Sequence, residues 1–345
     1  MRARFSFVLL TLTAFAGCGA SCKKGPEVAT DDDVAIVELP GVDTSSLVVT
    51  EKKTFSRVVH DYMSPCGDPV TLEVCVKESR SCAKCLPAAK AVAGMVRAGE
   101  PDKDIREWLD NRFDDKFVKS IELSGSPAMG ISSAPLVVVE FADFQCPHCK
   151  AASPIIYDVL NSAPFKGKTY FVFKEFPLSI HESAEVAARA AVAAQQQGKF
   201  WEMHDALFEN QDNLTPSDID SYARKLGLDL VRFQTDMNGA VVKDRVQKEK
   251  DQGNQLDVHG TPTIFVNGRK FVALQHGDFA DQLKEWLTLE VQLMAMPAVS
   301  PSGSSTVGAA PSGSGSSSAA AAPSTSAAPS TSAAASGSAS AKASK

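Results

Sequence analysis

The chain has no surplus of basic residues: 35 Lys and Arg stand against 41 Asp and Glu, a formal net charge of −6. That balance gives no electrostatic footprint for nucleic acid, and none is expected as a partner. Long apolar runs are missing once the first twenty residues are passed, so no transmembrane helix is expected beyond them. Apolar periodicity disappears altogether after about Met296, where Ser, Ala, Gly and Pro dominate. Ordering that backbone would cost entropy with no burial to offset it, and residues 297–345 are expected to form a disordered tail. Cysteine, by contrast, is plentiful: eight is a high count for a cytosolic protein of this size. In an exported protein such cysteines read as disulfides or redox pairs.

The start of the chain points to export. Arg2 and Arg4 precede an apolar run from Phe5 to Ala16 that is too short to span a bilayer comfortably. A basic start, a short apolar core and small residues predict an export signal over residues 1–17. Phe15-Ala16-Gly17-Cys18 resembles the lipobox of bacterial lipoproteins. That resemblance implies cleavage before Cys18, acylation of its sulfur and new amino group, and a lipid anchor in the cell envelope. An ordinary signal peptide with an incidental Cys18 is the competing reading. Residues 18–50, with the Asp31-Asp32-Asp33 run, are expected to be a tether, and Cys22 has no obvious partner if Cys18 is lipidated. The remainder suffices for two modest domains, placed at 51–120 and 133–294.

In the second of these, residues 136–141 form a short apolar run of the kind a buried strand shows. Cys146-Pro147-His148-Cys149 and a helix to about Leu160 follow, with a kink expected at Pro154. Thr169 to Phe173 reads as a strand, and residues 183–252 are largely helical. Thr263–Val266 and Phe271–Leu274, joined by Asn267-Gly268, read as a hairpin. A last amphipathic helix is expected from about Phe279 to Leu293. Strand, helix, strand, helical block, hairpin and helix is the order of an α/β, thioredoxin-like fold with a helical insertion.

A cysteine pair with two residues between its members at a helix start has a specific chemical use. The first sulfur sits near unpaired N–H groups and the positive end of the helix dipole, which favour a thiolate. The second can close a disulfide once a mixed disulfide with substrate has formed. Pro147 costs nothing in the first turn, and His148 adds a positive or hydrogen-bonding group. Half of a zinc site and an inert disulfide are the competing readings. No second ligand pair with suitable spacing lies nearby, and so short a loop gives a disulfide little stabilising power.

Four segments resemble the DsbA family: Glu140-Phe141-Ala142-Asp143-Phe144-Gln145-Cys146-Pro147-His148-Cys149, Phe171-Val172-Phe173-Lys174-Glu175-Phe176-Pro177-Leu178, Gln197-Gly198-Lys199-Phe200-Trp201-Glu202-Met203-His204 and Gly260-Thr261-Pro262-Thr263. The resemblance implies that Cys146 attacks and that Cys149 is the buried resolving thiol. It implies that Glu140 is a buried acid relaying the proton of Cys149, with Lys174 as its partner. It makes Pro262 a cis-proline, with the Thr261 backbone offered to an extended substrate. Threonine before that proline leaves the direction of catalysis open. No organic or metal cofactor is called for, because two sulfurs carry the electrons. His181 and His204 are expected to be surface or packing residues; His259 lines the substrate groove or packs.

The first domain holds Cys66, Cys75, Cys82 and Cys85, followed by helices expected at Leu86–Ala98 and Asp102–Phe117 with Gly99 at the break. This small cysteine-rich helical domain is similar to CcmH-type hairpins of cytochrome c maturation. Two structural disulfides in one of three connectivities, a second redox pair at Cys82 and Cys85, and a zinc site are the three readings, in that order. The leading expectation for the whole is an envelope-anchored, periplasm-facing thiol:disulfide oxidoreductase that oxidises thiol-containing exported proteins and is reoxidised by a membrane redox partner. A reductase or isomerase and a non-catalytic binding module are the alternatives.

Overall fold

Four helices open the ordered chain: α1 (Val49–Asp61), α2 (Leu72–Lys77), α3 (Cys85–Arg97) and α4 (Asp102–Phe113). The computed structural model describes residues 34–295, so the expected export signal, Cys18, Cys22 and the expected tail at 297–345 lie outside the described residues. No helix among the described residues is long and apolar enough to cross a membrane. Gly99, with φ +79°, ends α3. Its N–H meets the Val96 carbonyl and that of Glu100 meets Met95, the paired closure that a left-handed residue permits.

Two expectations need correcting here. The helix expected to reach Phe117 stops at Phe113, because the Asp114 side chain accepts the Lys116 N–H and opens a separate 3-10 turn over Asp115–Phe117. The stretch expected to be a tether up to residue 50 is packed in its second half. Leu39 and Leu47 are buried in the same core as α1 to α4.

A five-stranded sheet follows, built from β1 (Ala128–Gly130), β2 (Leu136–Ala142), β3 (Thr169–Glu175), β4 (Thr263–Val266) and β5 (Arg269–Lys270) in the order β1-β3-β2-β4-β5. The central β2 is parallel to β3 and antiparallel to β4, which explains its nearly continuous apolar sequence: both faces are covered. Helix α5 (Pro147–Asn161) connects β2 to β3 and continues through Pro154. The helical insertion between β3 and β4 resolves into α6 (Ala184–Gln195), α7 (Phe200–Glu209), α8 (Pro216–Lys225), α9 (Leu230–Asn238) and α10 (Ala240–Gln255). Helix α11 (Phe279–Ala295) closes the described chain.

The hairpin is shorter than expected. Asn267 and Gly268 both have positive φ, the requirement of a two-residue turn that matches strand twist. Pairing therefore resumes at once with Arg269 and Lys270. Residues 271–274, where the second strand was expected, lie beyond it. The three-residue β1, antiparallel to β3, had no apolar alternation to announce it.

One core joins the cysteine-rich helices to the sheet face that carries α5 and α11. Trp108 of α4 meets Trp286 of α11 edge-on, with ring centroids 5.4 Å apart. Beside them the buried Arg112 guanidinium donates to Glu290 at 2.5 Å and lies 4.9 Å from the Trp286 ring. On the opposite face α10 approaches so closely that a Cβ on Gly253 would stand 2.5 Å from the Phe176 ring.

Candidate active site

Strand β2 delivers the chain to a tight loop, Asp143-Phe144-Gln145, and then straight into α5. Cys146 is the N-cap of that helix, Pro147 occupies its first turn, and the Lys150 N–H bonds the Cys146 carbonyl at 3.2 Å. The free N–H groups and the positive end of the helix dipole lie at this end. Cys149 is fully buried in the core of the helical insertion, while Cys146 keeps 4% of its surface, and Pro147 and His148 between the two cysteines are exposed. Both thiols are free.

The second wall comes from the other end of the sheet. Because Thr263 of β4 pairs with Phe141 of β2, the loop before β4 is held beside the end of β2. The Thr261-Pro262 bond in that loop is cis. The Cys146 thiol donates to the Thr261 carbonyl at 3.2 Å, so the sulfur and the loop backbone share one cleft. The Thr261 hydroxyl approaches Cys149 closely enough to favour its charged form, yet it makes no hydrogen bond of good geometry. His259, just before the loop, is exposed.

Beneath the sulfurs lies Glu140, buried in the middle of β2. Burial pushes its carboxyl up to about 8, so at neutral pH it is mostly protonated. Its Oε1 has no hydrogen-bond partner among the described residues. The Cys149 thiol is pushed well above the ordinary thiol range, first by burial and then by any charge on Glu140. The Asp143 N–H, 3.5 Å from Cys149 Sγ, acts in the opposite direction.

Lys174 does not partner Glu140, contrary to expectation. The β2–β3 register sets Glu140 opposite Phe173 and sets Lys174 opposite Phe141. Side chains directly opposite share a face and successive ones alternate, so the acid and the lysine lie on opposite faces of the sheet. Lys174 instead donates to the Glu122 carbonyl and lies 3.8 Å from Glu249.

Several groups around the cysteines carried no sequence signal. The buried Asp143 carboxylate accepts from the Gln145 N–H at 2.7 Å, the Leu178 N–H at 2.9 Å and His181 Nδ1 at 2.7 Å. His181 thus fastens the active-site loop to the segment after β3, a role beyond the surface or packing residue expected. Gln211 donates to the carbonyls of Phe144 and Cys146, each at 2.8 Å. Gln211 lies between two helices of the insertion, and only the fold brings it here. His204 packs among Phe144, Phe173, Phe200, Trp201 and Phe208.

The other four described cysteines form Cys66–Cys82 and Cys75–Cys85 disulfides, with Cα separations of 5.8 and 6.2 Å. Two disulfides are the first of the three readings, and the connectivity is the crossed one; Cys82 and Cys85 are not bonded to each other, as the second reading required. The Cys75, Cys82 and Cys85 sulfurs lie within 4.8 Å of one another, but all three are oxidised and offer no thiolate to zinc.

Residues 122–287 match the profile of a family described as thioredoxin. Residues 122–287 form a thioredoxin-family domain. With its paired sulfurs at a helix start facing a cis-proline loop, this domain is a thiol:disulfide oxidoreductase module. The four DsbA-like segments lie within it. Among curated proteins, the Na(+)/H(+) antiporter NhaA 3 of Salinispora tropica is 41% identical over 151 residues, covering 44% of this chain and 22% of the relative. The Na(+)/H(+) antiporter NhaA 1 of Salinispora arenicola is 44% identical over 154 residues, with the same two shares. The chain thus spans less than a quarter of the length of these relatives, and their antiport is not carried over. Among solved structures, a thioredoxin-like oxidoreductase from Silicibacter pomeroyi is 28% identical, covering 53% of this chain and 97% of that one with a TM-score of 0.42. BdbD from Bacillus subtilis is 26% identical, covering 50% and 95%, with a TM-score of 0.44.

Proposed function

We propose that the protein is an exported thiol:disulfide oxidoreductase that oxidises thiol-containing exported proteins through a Cys146–Cys149 disulfide. The observation that carries this reading is the helix-capping Cys146, with Cys149 buried behind it and the Thr261 carbonyl 3.2 Å in front. In the oxidised state a substrate thiolate attacks Cys146 Sγ, breaking the bond to Cys149, which leaves as a thiolate. A thiol buried this deeply must take a proton, and the neutral Glu140 carboxyl is the acid at hand. The second substrate thiolate then attacks the substrate sulfur joined to Cys146. Substrate leaves with a disulfide, and the domain keeps two thiols. The Thr261 carbonyl gives an extended substrate a main-chain acceptor beside the reacting sulfur.

A membrane redox partner of quinone-linked type would take the two electrons away. The Cys66–Cys82 and Cys75–Cys85 links favour an oxidising compartment. The lipobox-like Phe15-Ala16-Gly17-Cys18 favours anchoring by a lipid on Cys18. Mass spectrometry of the mature N-terminus tests that: an unmodified soluble N-terminus removes the anchor from the proposal.

A second reading, reductase or isomerase, is favoured by the Thr261 hydroxyl beside Cys149, which acts toward the thiolate that a reductase needs to attack a Cys146–substrate mixed disulfide. The reduction potential of the Cys146–Cys149 pair separates the two. A potential well above that of thioredoxin supports the oxidase, and a thioredoxin-like low value overturns it.

A further inference from the structure

The front cysteines form two disulfides with three of their four sulfurs in one cluster. Cys66 is exposed, whereas Cys75, Cys82 and Cys85 are buried. The buried three hold their sulfurs within 4.8 Å of one another, so each disulfide offers a sulfur to the other. A buried hydroxyl sits at this junction: Ser64 Oγ lies 3.8 Å from Cys75 Sγ and 3.6 Å from Cys85 Sγ, and the Cys66 N–H points to it at 3.5 Å. Cys85 is also the first residue of the 13-residue α3, so its sulfur lies at the end of the helix that favours negative charge. A pair of passive staples requires neither the clustering nor the hydroxyl.

We propose that this cluster is a second redox site, a two-step disulfide ladder that accepts two electrons from an incoming protein dithiol and still keeps one cross-link. The dithiol's first thiolate attacks exposed Cys66 Sγ, forming a mixed disulfide and releasing Cys82 as a thiolate. Cys82 attacks Cys75 Sγ in the neighbouring link, forming a Cys75–Cys82 bond and expelling Cys85 as a thiolate. Of the two sulfurs in that link, Cys85 is the better leaving group, because the start of α3 and the Ser64 hydroxyl both receive its charge. The dithiol's second thiolate then attacks its own sulfur on Cys66, leaving as a disulfide and freeing Cys66. Two protons given up by the dithiol end on Cys66 and Cys85. One disulfide has been made in the dithiol and one lost from the ladder. The buried Cys75–Cys82 bond keeps α2 tied to the residues before α3.

The ladder does not rest on Cys146, and its test removes that site. Full-length protein carrying Cys146→Ser and Cys149→Ser is treated with one equivalent of dithiothreitol, acid-quenched over time, alkylated and peptide-mapped. The ladder yields alkylated Cys66 and Cys85 together with a new Cys75–Cys82 linked peptide. Ser64→Ala in the same background slows appearance of that peptide about fivefold while Cys66–Cys82 is lost at an unchanged rate. Alkylated Cys66 and Cys82 with Cys75–Cys85 intact overturns the transfer, and alkylated Cys66 and Cys75 overturns Cys85 as the leaving sulfur. Reduction of all four at once, or of none, overturns the ladder.

Discussion

Cys82-Ala83-Lys84-Cys85 and Cys146-Pro147-His148-Cys149 share a spacing and both run into a helix, yet they end in opposite states. In the second, the first cysteine caps α5 and the second lies inside it, so one helical turn brings the sulfurs together with no competitor near. In the first, the helix begins only at Cys85, and Cys82 sits on the turn before it, where the Cys85 N–H reaches the Cys82 carbonyl. That offset of two residues relative to the helix start turns the two sulfurs toward other neighbours. Cys66 and Cys75, 16 and 10 residues away from their partners, take them. Spacing sets what a cysteine pair can reach; the helix boundary and the rival sulfurs decide what it bonds.

The sharpest way to break this comparison is to remove one sulfur from each pair. Cys146→Ser lowers oxidation of a reduced protein substrate by about 10³-fold or more, the consequence of losing a covalent nucleophile. With no oxidant added, any reaction that remains stops after one equivalent, the two electrons the front ladder can take. Cys82→Ser leaves steady-state turnover within about twofold. Comparable losses in both variants would mean that the two segments act as one redox unit.

Glu140 extends the contrast, since only the second pair stands over a buried acid. A carboxyl whose folded value is about 8 binds more protons in the native state than in the unfolded one. Its contribution to stability is therefore full below the ordinary carboxylate range and is lost as pH rises toward 8. Glu140→Gln removes that dependence and stabilises the protein at pH 9 relative to pH 5 by about 2–4 kcal/mol, read from denaturant midpoints. The same variant slows protonation of Cys149 by about 10²-fold, seen as slower mixed-disulfide formation at neutral pH. Identical pH profiles for wild type and variant would take the relay away from Glu140.

The active-site strand, the helix start, the helical insertion and the final helix were legible because each rests on a local pattern. Leu136–Ala142 is an apolar run, and Asn267-Gly268 is a turn that announces itself. What escaped depends on pairing in three dimensions. The partner of Glu140 was misjudged because the face of Lys174 follows from the β2–β3 register, which residue types alone do not fix. Gln211 and His181 reach the cysteine loop across long sequence separations. The disulfide connectivity was one of three, and only folded geometry selects among them.

If the front links also serve as staples, Cys66→Ala with Cys82→Ala costs about 2–4 kcal/mol of stability while turnover at Cys146 survives. Trp108 and Trp286, packed where the front helices meet α11, give the fluorescence signal. An unchanged denaturation midpoint would leave the Cys66–Cys82 link with no structural role.

The smallest expected effect separates holding a loop from doing chemistry in it. Asp143 has three donors, two of them backbone N–H groups that fix the turn before Cys146. His181→Ala removes only the third, so the loop stays closed and the loss is about 1 kcal/mol. If His181 positions the Cys149-facing Asp143 N–H, His181→Ala lowers the rate of exchange by about two- to fivefold with substrate affinity unchanged, and His181→Gln restores part of it. Were His181 only a surface residue, neither substitution would move the rate. Were it to bind substrate, KM would rise while kcat held.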